Sequence, residues 1–275
     1  MPESPEVQAL AEFLGDRLTG RRVDGVDLIE FRALKTRARP LTQLVGAEVV
    51  GASRVGKHVD LRLTGANLVV SLGRHGWMRW SDEAPAAPDP EAPPALAAFV
   101  FDDGGVLEAT DAGDWVSLGL SVVDDALEVP AIAKLGPDPA DDAFTRADFD
   151  KAVAGRRKQI KAILQEQESL SGIGNAYSDE ILHAAKVSPV AHAAALDDAA
   201  LDRVFAQTLD VVRGAIAARR GIPIDQLKAA KTAAMRVHGR AGEPCPVCGD
   251  TIREFTFAST TAEYCPTCQT GGVEL

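Results

Sequence analysis

Apolar residues near the start of the chain fall at helical spacing, at Val7, Leu10, Ala11, Leu14 and Leu18, and the run stops at Gly20. A helix over Ser4 to Leu18 is predicted. From Arg21 to about Val123 the period shortens to two, in VDLRL, NLVVSL, AAFVF and WVSLGLSVV, with Gly and Asp at the breaks, which predicts a β-sandwich or barrel. Ser81 to Pro94, rich in Pro, Ala and acidic residues, reads as an exposed loop between two strands. After LGPDP (Leu135 to Pro139) helical spacing returns over Arg146 to Glu166, Ala176 to Ala185, Asp197 to Arg219 and Ile224 to Lys231, an all-α domain. Beyond Met235 a Gly- and Cys-rich tail has too little apolar surface to fold without a staple. The expected class is α+β multidomain, with a sandwich over 1–134, a helical domain over 135–234 and a metal-stapled hairpin over 235–275.

Length and composition agree, since 275 residues at 46% apolar content can bury a core in more than one domain. The N-terminus MPESPEVQAL carries carboxylates where a signal peptide carries lysines, and no apolar run is long enough to span a bilayer. A cytoplasmic monomer without membrane partners is expected. The net charge of -11 argues at first against nucleic acid, whose binding rests on Lys and Arg. The distribution reverses that inference: residues 101–150 hold thirteen acidic and two basic side chains, so the remainder is neutral. Positive charge gathers in Arg32 to Arg79 (nine basic, two acidic), Lys151 to Lys161 (five, none) and Arg213 to Arg240 (seven, one). Such clusters either line one cleft or form solvated faces.

Cys245-Pro-Val-Cys248, sixteen residues, then Cys265-Pro-Thr-Cys268 is the spacing of a tetrahedral four-thiolate zinc site. With four ligands supplied, the Zn²⁺ is structural. TIREFTFASTTAEY between the pairs alternates like two strands around a polar turn near Ala258 to Thr261. The five histidines show no metal spacing with one another and read as surface or capping residues. The G-x-G of SGIGN lies between helices rather than after a strand, so no nucleotide cofactor is implied.

Pro2 permits removal of the initiator Met, leaving a secondary amine that is nucleophilic near neutral pH, beside the carboxylates of Glu3 and Glu6. Taken alone, this reads rather as a helix start with Pro and Glu in its first turn. MPESPEV, RVGKH around Lys57, LGPDP, SGIGNAYSDEIL (Ser171 to Leu182), VHGRAGEPCPVCG and CPTCQ nevertheless occur in this order, and together they resemble the formamidopyrimidine-DNA glycosylase and endonuclease VIII family over nearly the whole chain. The resemblance implies an N-terminal β-sandwich, a helix-two-turn-helix domain and a zinc ribbon, with damaged DNA in the cleft between the halves. It makes Pro2 the Schiff-base nucleophile, Glu3 the acid/base, Glu6 an auxiliary carboxylate and Lys57 a phosphate-binding lysine associated with β-elimination. Gly174 and Asn175 become a phosphate clamp at a helix N-terminus, where the plain reading is a helix–helix turn. The implied chemistry flips the lesion out, displaces the base at C1′ with the amine, and lets the iminium acidify C2′ so that the 3′ phosphate leaves.

The chain also departs from the family. Five residues before the third zinc cysteine the family carries a phosphate-gripping arginine; here the position is Thr260, and Arg253 is the hairpin's arginine, so no δ-elimination is assigned. The family's wedges of Met, Arg and Phe correspond here to Arg74 in SLGRHG and to Asp111-Ala-Gly-Asp-Trp115-Val. Trp115 reads as a wedge filling the gap left by a flipped base, or as a core residue of a strand. The alternative to a glycosylase with abasic-site lyase activity is a weakly or non-catalytic paralogue that binds abasic or distorted DNA.

Overall fold

A computed structural model of the chain describes residues 1–83, 91–257 and 260–275. The chain divides into two compact units. The first holds residues 1–2, 6–133 and 220–227, and the second holds 3–5, 134–219 and 228–275.

The first unit opens with α1 (Ser4–Leu18), whose first two residues, Ser4 and Pro5, count with the second unit. Eight strands follow: β1 (Val23–Leu28), β2 (Val49–Val55), β3 (His58–Leu63), β4 (Ala66–Ser71), β5 (Gly76–Ser81), β6 (Ala95–Phe101), β7 (Val106–Asp111) and β8 (Gly119–Val123), then the short α2 (Pro130–Ala133). They form two antiparallel four-stranded sheets, β1-β6-β7-β5 and β2-β3-β4-β8. Alternation puts Val59, Leu61, Leu68 and Val70 of one sheet and Met78, Ala97, Phe99 and Leu107 of the other into a single core, which is the expected sandwich. The apolar stripe of α1, Val7, Leu10, Leu14 and Leu18, is buried in the same core, and Gly20 ends the helix at φ +86°. Ile224 and Leu227 join this core although they follow the helical region in sequence, and the Trp77 indole donates to the Ile224 carbonyl at 2.9 Å.

One strand expectation changes. WVSLGLSVV is a strand only from Gly119, because residues 112–118 are gathered into a loop around the Asp111 carboxylate. Half of the exposed loop expected over Ser81 to Pro94, residues 84–90, lies outside those described; β5 and β6 flank it.

In the second unit come α3 (Arg146–Val153), α4 (Ile160–Leu164), α5 (Asn175–Ala185), α6 (Asp198–Arg219) and, but for its first residue, α7 (Leu227–Ala234), then β9 (Arg253–Phe257), β10 (Thr260–Tyr264) and α8 (Pro266–Gln269). Phe149, Ile163, Tyr177, Ile181 and Val204 centre its helical core. The segment expected as one helix from Arg146 to Glu166 is two, because Gly155 takes φ +67° just after α3 and the main chain of Arg156 and Lys158 instead accepts from Ala194 and Ala193. β9 and β10 pair antiparallel with Phe257 opposite Thr260, so Thr260 and Thr261, expected in the turn, belong to a strand. Residues 258–259 and the Thr260 side chain lie outside those described. No helix of the described residues is long and apolar enough to cross a membrane.

The acidic block turns out to be largely engaged at home. Asp103 pairs with Arg21, Glu108 with Arg79 at 2.7 Å, Asp124 with Arg39 at 2.8 Å and Asp150 with Arg146 at 2.8 Å. Asp148 and Glu128 complete capping boxes at Thr145 and Asp125.

Candidate active site and metal centre

Within the second unit the Glu3 side chain is 2% exposed. Its carboxylate sits at the N-terminus of α5: one oxygen accepts from the Gly174 amide, and the other accepts from the Ala176 amide at 3.0 Å and from Lys231 Nζ at 3.2 Å. A helix N-terminus presents unpaired N–H groups and partial positive charge, so this is a built anion site, filled by the protein's own carboxylate. Gly174 is required there, since a Cβ would lie 2.6 Å from Glu3 Cδ. Its amide, expected to turn toward a phosphate, is thereby engaged with Glu3. Asn175 is the first residue of α5, with its Oδ1 accepting from Gln165 at 3.3 Å. The preceding turn is tied to the N-terminal segment, with Ser4 N donating to the Gly172 carbonyl at 3.0 Å.

Beneath Asn175 lies a polar network that sequence reasoning missed. Lys161, 4% exposed, donates to Asp179 Oδ1 at 2.5 Å, to Ser178 Oγ at 3.0 Å and to the Asn175 carbonyl at 3.3 Å. Burial lowers its pKa and Asp179 opposes that shift. The other oxygen of Asp179 meets His238 Nδ1 at 2.8 Å, and Glu263 of β10 meets the same nitrogen at 3.0 Å. Burial disfavours the imidazolium, but the two carboxylates outweigh it and push the pKa up to about 9. His238 is thus a member of an ion network rather than a surface residue. A signal for Lys161 was present, a lysine inside the apolar run IKAIL. Lys231, in KAAKTAA, had none.

The basic run Lys151 to Lys161 is mostly spoken for. Glu166 takes Arg156 at 2.7 Å and Lys158 at 2.5 Å, and these bonds hold its pKa down at about 2. With Lys161 buried on Asp179 and Lys151 on Asp148 at 3.2 Å, Arg157 is left exposed without a recorded ion pair among the described residues.

The four cysteines converge, with all four Sγ atoms within 4.8 Å of one another, Cys245 to Cys268 at 3.9 Å and Cys248 to Cys265 at 3.3 Å. A tetrahedral zinc thiolate site has S···S edges of about 3.8 Å from its Zn–S length of about 2.3 Å, so the donor set fits Zn²⁺. The chemistry agrees: burial raises the Cys265 thiol and pushes Cys268 up to about 11, so a dication is needed to hold these sulfurs as thiolates. His183, expected at the surface, is 3% exposed and places Nε2 3.3 Å from Cys245 Sγ.

In the first unit Pro2 is buried beside the exposed Met1, and Glu6 is 1% exposed in α1. Lys57 occupies the two-residue turn between β2 and β3 rather than a strand, with Gly56 at φ +57° supplying the left-handed position such a tight turn needs. Arg54 ties that turn to α1, donating to the Gly56 carbonyl at 2.8 Å and to Gln8 Oε1 at 3.0 Å. Arg74 and Trp115 are brought to one rim. Ser117 Oγ accepts from the amides of Arg74 and His75 at 3.1 and 3.0 Å, and the His75 ring meets Trp115 edge-on at 5.9 Å. Trp115 is 57% exposed, so it is not a core residue.

Comparison with known proteins agrees with these features. Residues 1–114 match the formamidopyrimidine-DNA glycosylase N-terminal domain, residues 135–225 the formamidopyrimidine-DNA glycosylase H2TH domain, and residues 242–271 the zinc finger found in FPG and IleRS. The formamidopyrimidine-DNA glycosylase of Heliobacterium modesticaldum is 32% identical over 98% of this chain and 100% of its own length. An uncharacterized formamidopyrimidine-DNA glycosylase-like protein of Mycobacterium tuberculosis is 45% identical over 53% of this chain and 91% of its own. Among solved structures, the Lactococcus lactis enzyme bound non-covalently to DNA containing an AP site superposes with a TM-score of 0.84 at 25% identity, covering 98% of this chain and 99% of that one. MutM in complex with DNA containing carbocyclic 8-oxo-G gives 0.86 at 25% identity, covering 98% and 100%. With sandwich, helical domain and four-thiolate zinc ribbon all in place, the chain belongs to the formamidopyrimidine-DNA glycosylase family.

Proposed function

We propose that this protein is a DNA repair glycosylase with abasic-site lyase activity, acting on damaged bases through the amine of Pro2. The observation that carries the reading is the Glu3 carboxylate, buried and held by the Gly174 and Ala176 amides and Lys231, and joined covalently to the residue whose amine is the nucleophile. Removal of Met1 frees that amine. It attacks C1′ of the extruded nucleotide, the base leaves with the C1′–N bonding pair, and the iminium acidifies C2′ so that a proton and then the 3′ phosphate depart. Glu3 and Glu6 are the groups available to move protons. Lys57, on its hairpin turn, and Asn175, at the start of α5, take backbone phosphates, while Arg74 and Trp115 stand at the duplex. The zinc ion clamps the ribbon and takes no part in bond making. Damaged DNA is the partner, as for the relatives solved with AP-site and 8-oxo-G DNA. The working place is the cytoplasm, on the nucleoid in a bacterium.

Borohydride trapping on an abasic-site oligonucleotide tests this. A covalent complex in the wild type that is lost in Pro2→Gly and strongly reduced in Glu3→Gln supports it. Tight binding to abasic DNA with no trapped complex overturns the lyase and favours a non-catalytic paralogue, a reading motivated by Thr260 at the family's arginine position.

A further inference from the structure

A carboxylate as dry as Glu3 needs compensation for its charge. Two of its partners are main-chain amides, fixed by α5. Lys231 brings it a full positive charge, and it comes from α7, 228 residues away in sequence. The Lys231 side chain is only 13% exposed. Its Nζ also lies 4.9 Å from the ring centroid of Tyr177, a fully buried side chain of α5. A lysine ordinarily keeps its flexible stem and hydrated ammonium in water, so immobilising it against a carboxylate and an aromatic face costs side-chain entropy and solvation. An ion pair kept under those terms beside the nucleophile bears on chemistry more directly than a surface pair, whose contribution to stability is small.

We infer that Lys231 is a positioning residue for Glu3, its ammonium holding the carboxylate in one orientation before the substrate arrives. The inference rests on the reading of Glu3 as the acid/base group. The amides at the start of α5 grip both carboxylate oxygens, and Lys231 adds its ammonium at Oε1, so the group is held in place before each turnover. Nothing in this role requires Lys231 to touch DNA.

The test uses the zinc-loaded, full-length protein as wild type, Lys231→Met, Lys231→Arg, Glu3→Gln and the Glu3→Gln/Lys231→Met double variant. Three quantities are read: the single-turnover rate of borohydride trapping on an abasic-site duplex, the affinity for a duplex with a tetrahydrofuran abasic analogue, and the melting temperature without DNA. Lys231→Met should slow trapping by at least about tenfold, the scale of a partly disabled acid/base group. Its affinity for the analogue should change by less than about twofold, and Lys231→Arg should recover most of the rate. In the Glu3→Gln background Lys231→Met should shift the melting temperature by less than roughly half of its effect alone, since coupled neighbours are not additive. An unchanged trapping rate in Lys231→Met, or a loss matched by lost affinity and not recovered by Lys231→Arg, overturns the inference. A wild type that forms no trapped complex overturns the reading of Glu3 and the inference together, whereas a trapping wild type with an unaffected Lys231→Met overturns the inference alone.

Discussion

Ser117 Oγ lies 2.8 Å from Asp111 Oδ2, and through that hydroxyl one buried carboxylate organises two loops. Asp111 also accepts from the amides of Gly113, Ser117 and Leu118 at 2.9, 2.8 and 2.9 Å, and Ser117 Oγ passes the order on to the amides of Arg74 and His75. Burial opposes the charge on Asp111, but these donors more than offset it and lower its pKa. Backbone space is equally tight, for Gly73 at φ +58° would bring a Cβ to 2.2 Å from the Ser117 carbonyl oxygen. Asp111→Ala strands several buried donors and should lower unfolding free energy by about 3 kcal/mol, read from urea denaturation, while Ser117→Ala should cost about 1 kcal/mol.

Trp115 stands on the rim that Asp111 builds. Because it is mostly exposed, Trp115→Ala should leave the melting temperature nearly unchanged. If the indole replaces stacking lost around a flipped nucleotide, affinity for an abasic-analogue duplex should fall about tenfold, within the range for one base–aromatic stack, with less change for undamaged DNA. Fluorescence anisotropy with both duplexes checks this, and equal losses on the two would remove Trp115 from the wedge role.

His183 Nε2 lies 3.3 Å from the Cys245 sulfur, inside the unit that carries the ribbon. Groups bonded to metal ligands orient them and tune their basicity, so His183→Phe should weaken zinc binding by about tenfold, measured by competition with a chromogenic chelator. Removal of the metal altogether should unfold the small cluster of Val237, Cys245, Ile252 and Cys265 and lower DNA affinity without melting the sandwich, which hydrogen exchange would resolve.

The pairing of His238 with Asp179 and Glu263 sets a pH dependence whose sign is fixed. The folded-state pKa of about 9 lies above the unfolded value, so the stabilisation is fully present below about pH 6.5 and is lost as pH rises through the folded value. The shift corresponds to no more than about 3 kcal/mol. The wild-type melting temperature should therefore fall by several degrees between about pH 7.5 and 10, and His238→Gln should flatten that fall by starting lower. Parallel slopes in the two proteins would remove His238 as the source.

Much of the architecture was legible beforehand because it depends on local periodicity. The stripe Val7, Leu10, Leu14 and Leu18 could be buried in only one way on a helix, and VDLRL and NLVVSL could present one apolar face only as strands. The thiolate spacing likewise constrains where the sulfurs can meet. Reading failed where a side chain competes with the pattern: WVSLGLSVV has strand periodicity throughout, yet Asp111 draws its first four residues into a loop. It failed again at Gly155, where one left-handed residue divides what the apolar spacing alone presents as a single helix.

Charge was the least legible property. A count along the chain separates an acidic block from basic clusters, but ion pairs ignore sequence distance, and Asp103 with Arg21 or Lys231 with Glu3 are decided only when packed elements bring them together. The sequence by itself determined most of the sandwich strands and helices, the zinc-ligand spacing and the family motifs, because each rests on short-range spacing that any fold must respect. The tertiary structure alone decided which carboxylates are paired, that the Gly174 amide serves Glu3, and that a lysine from α7 closes the site, because a buried charge takes its partner from the packing around it.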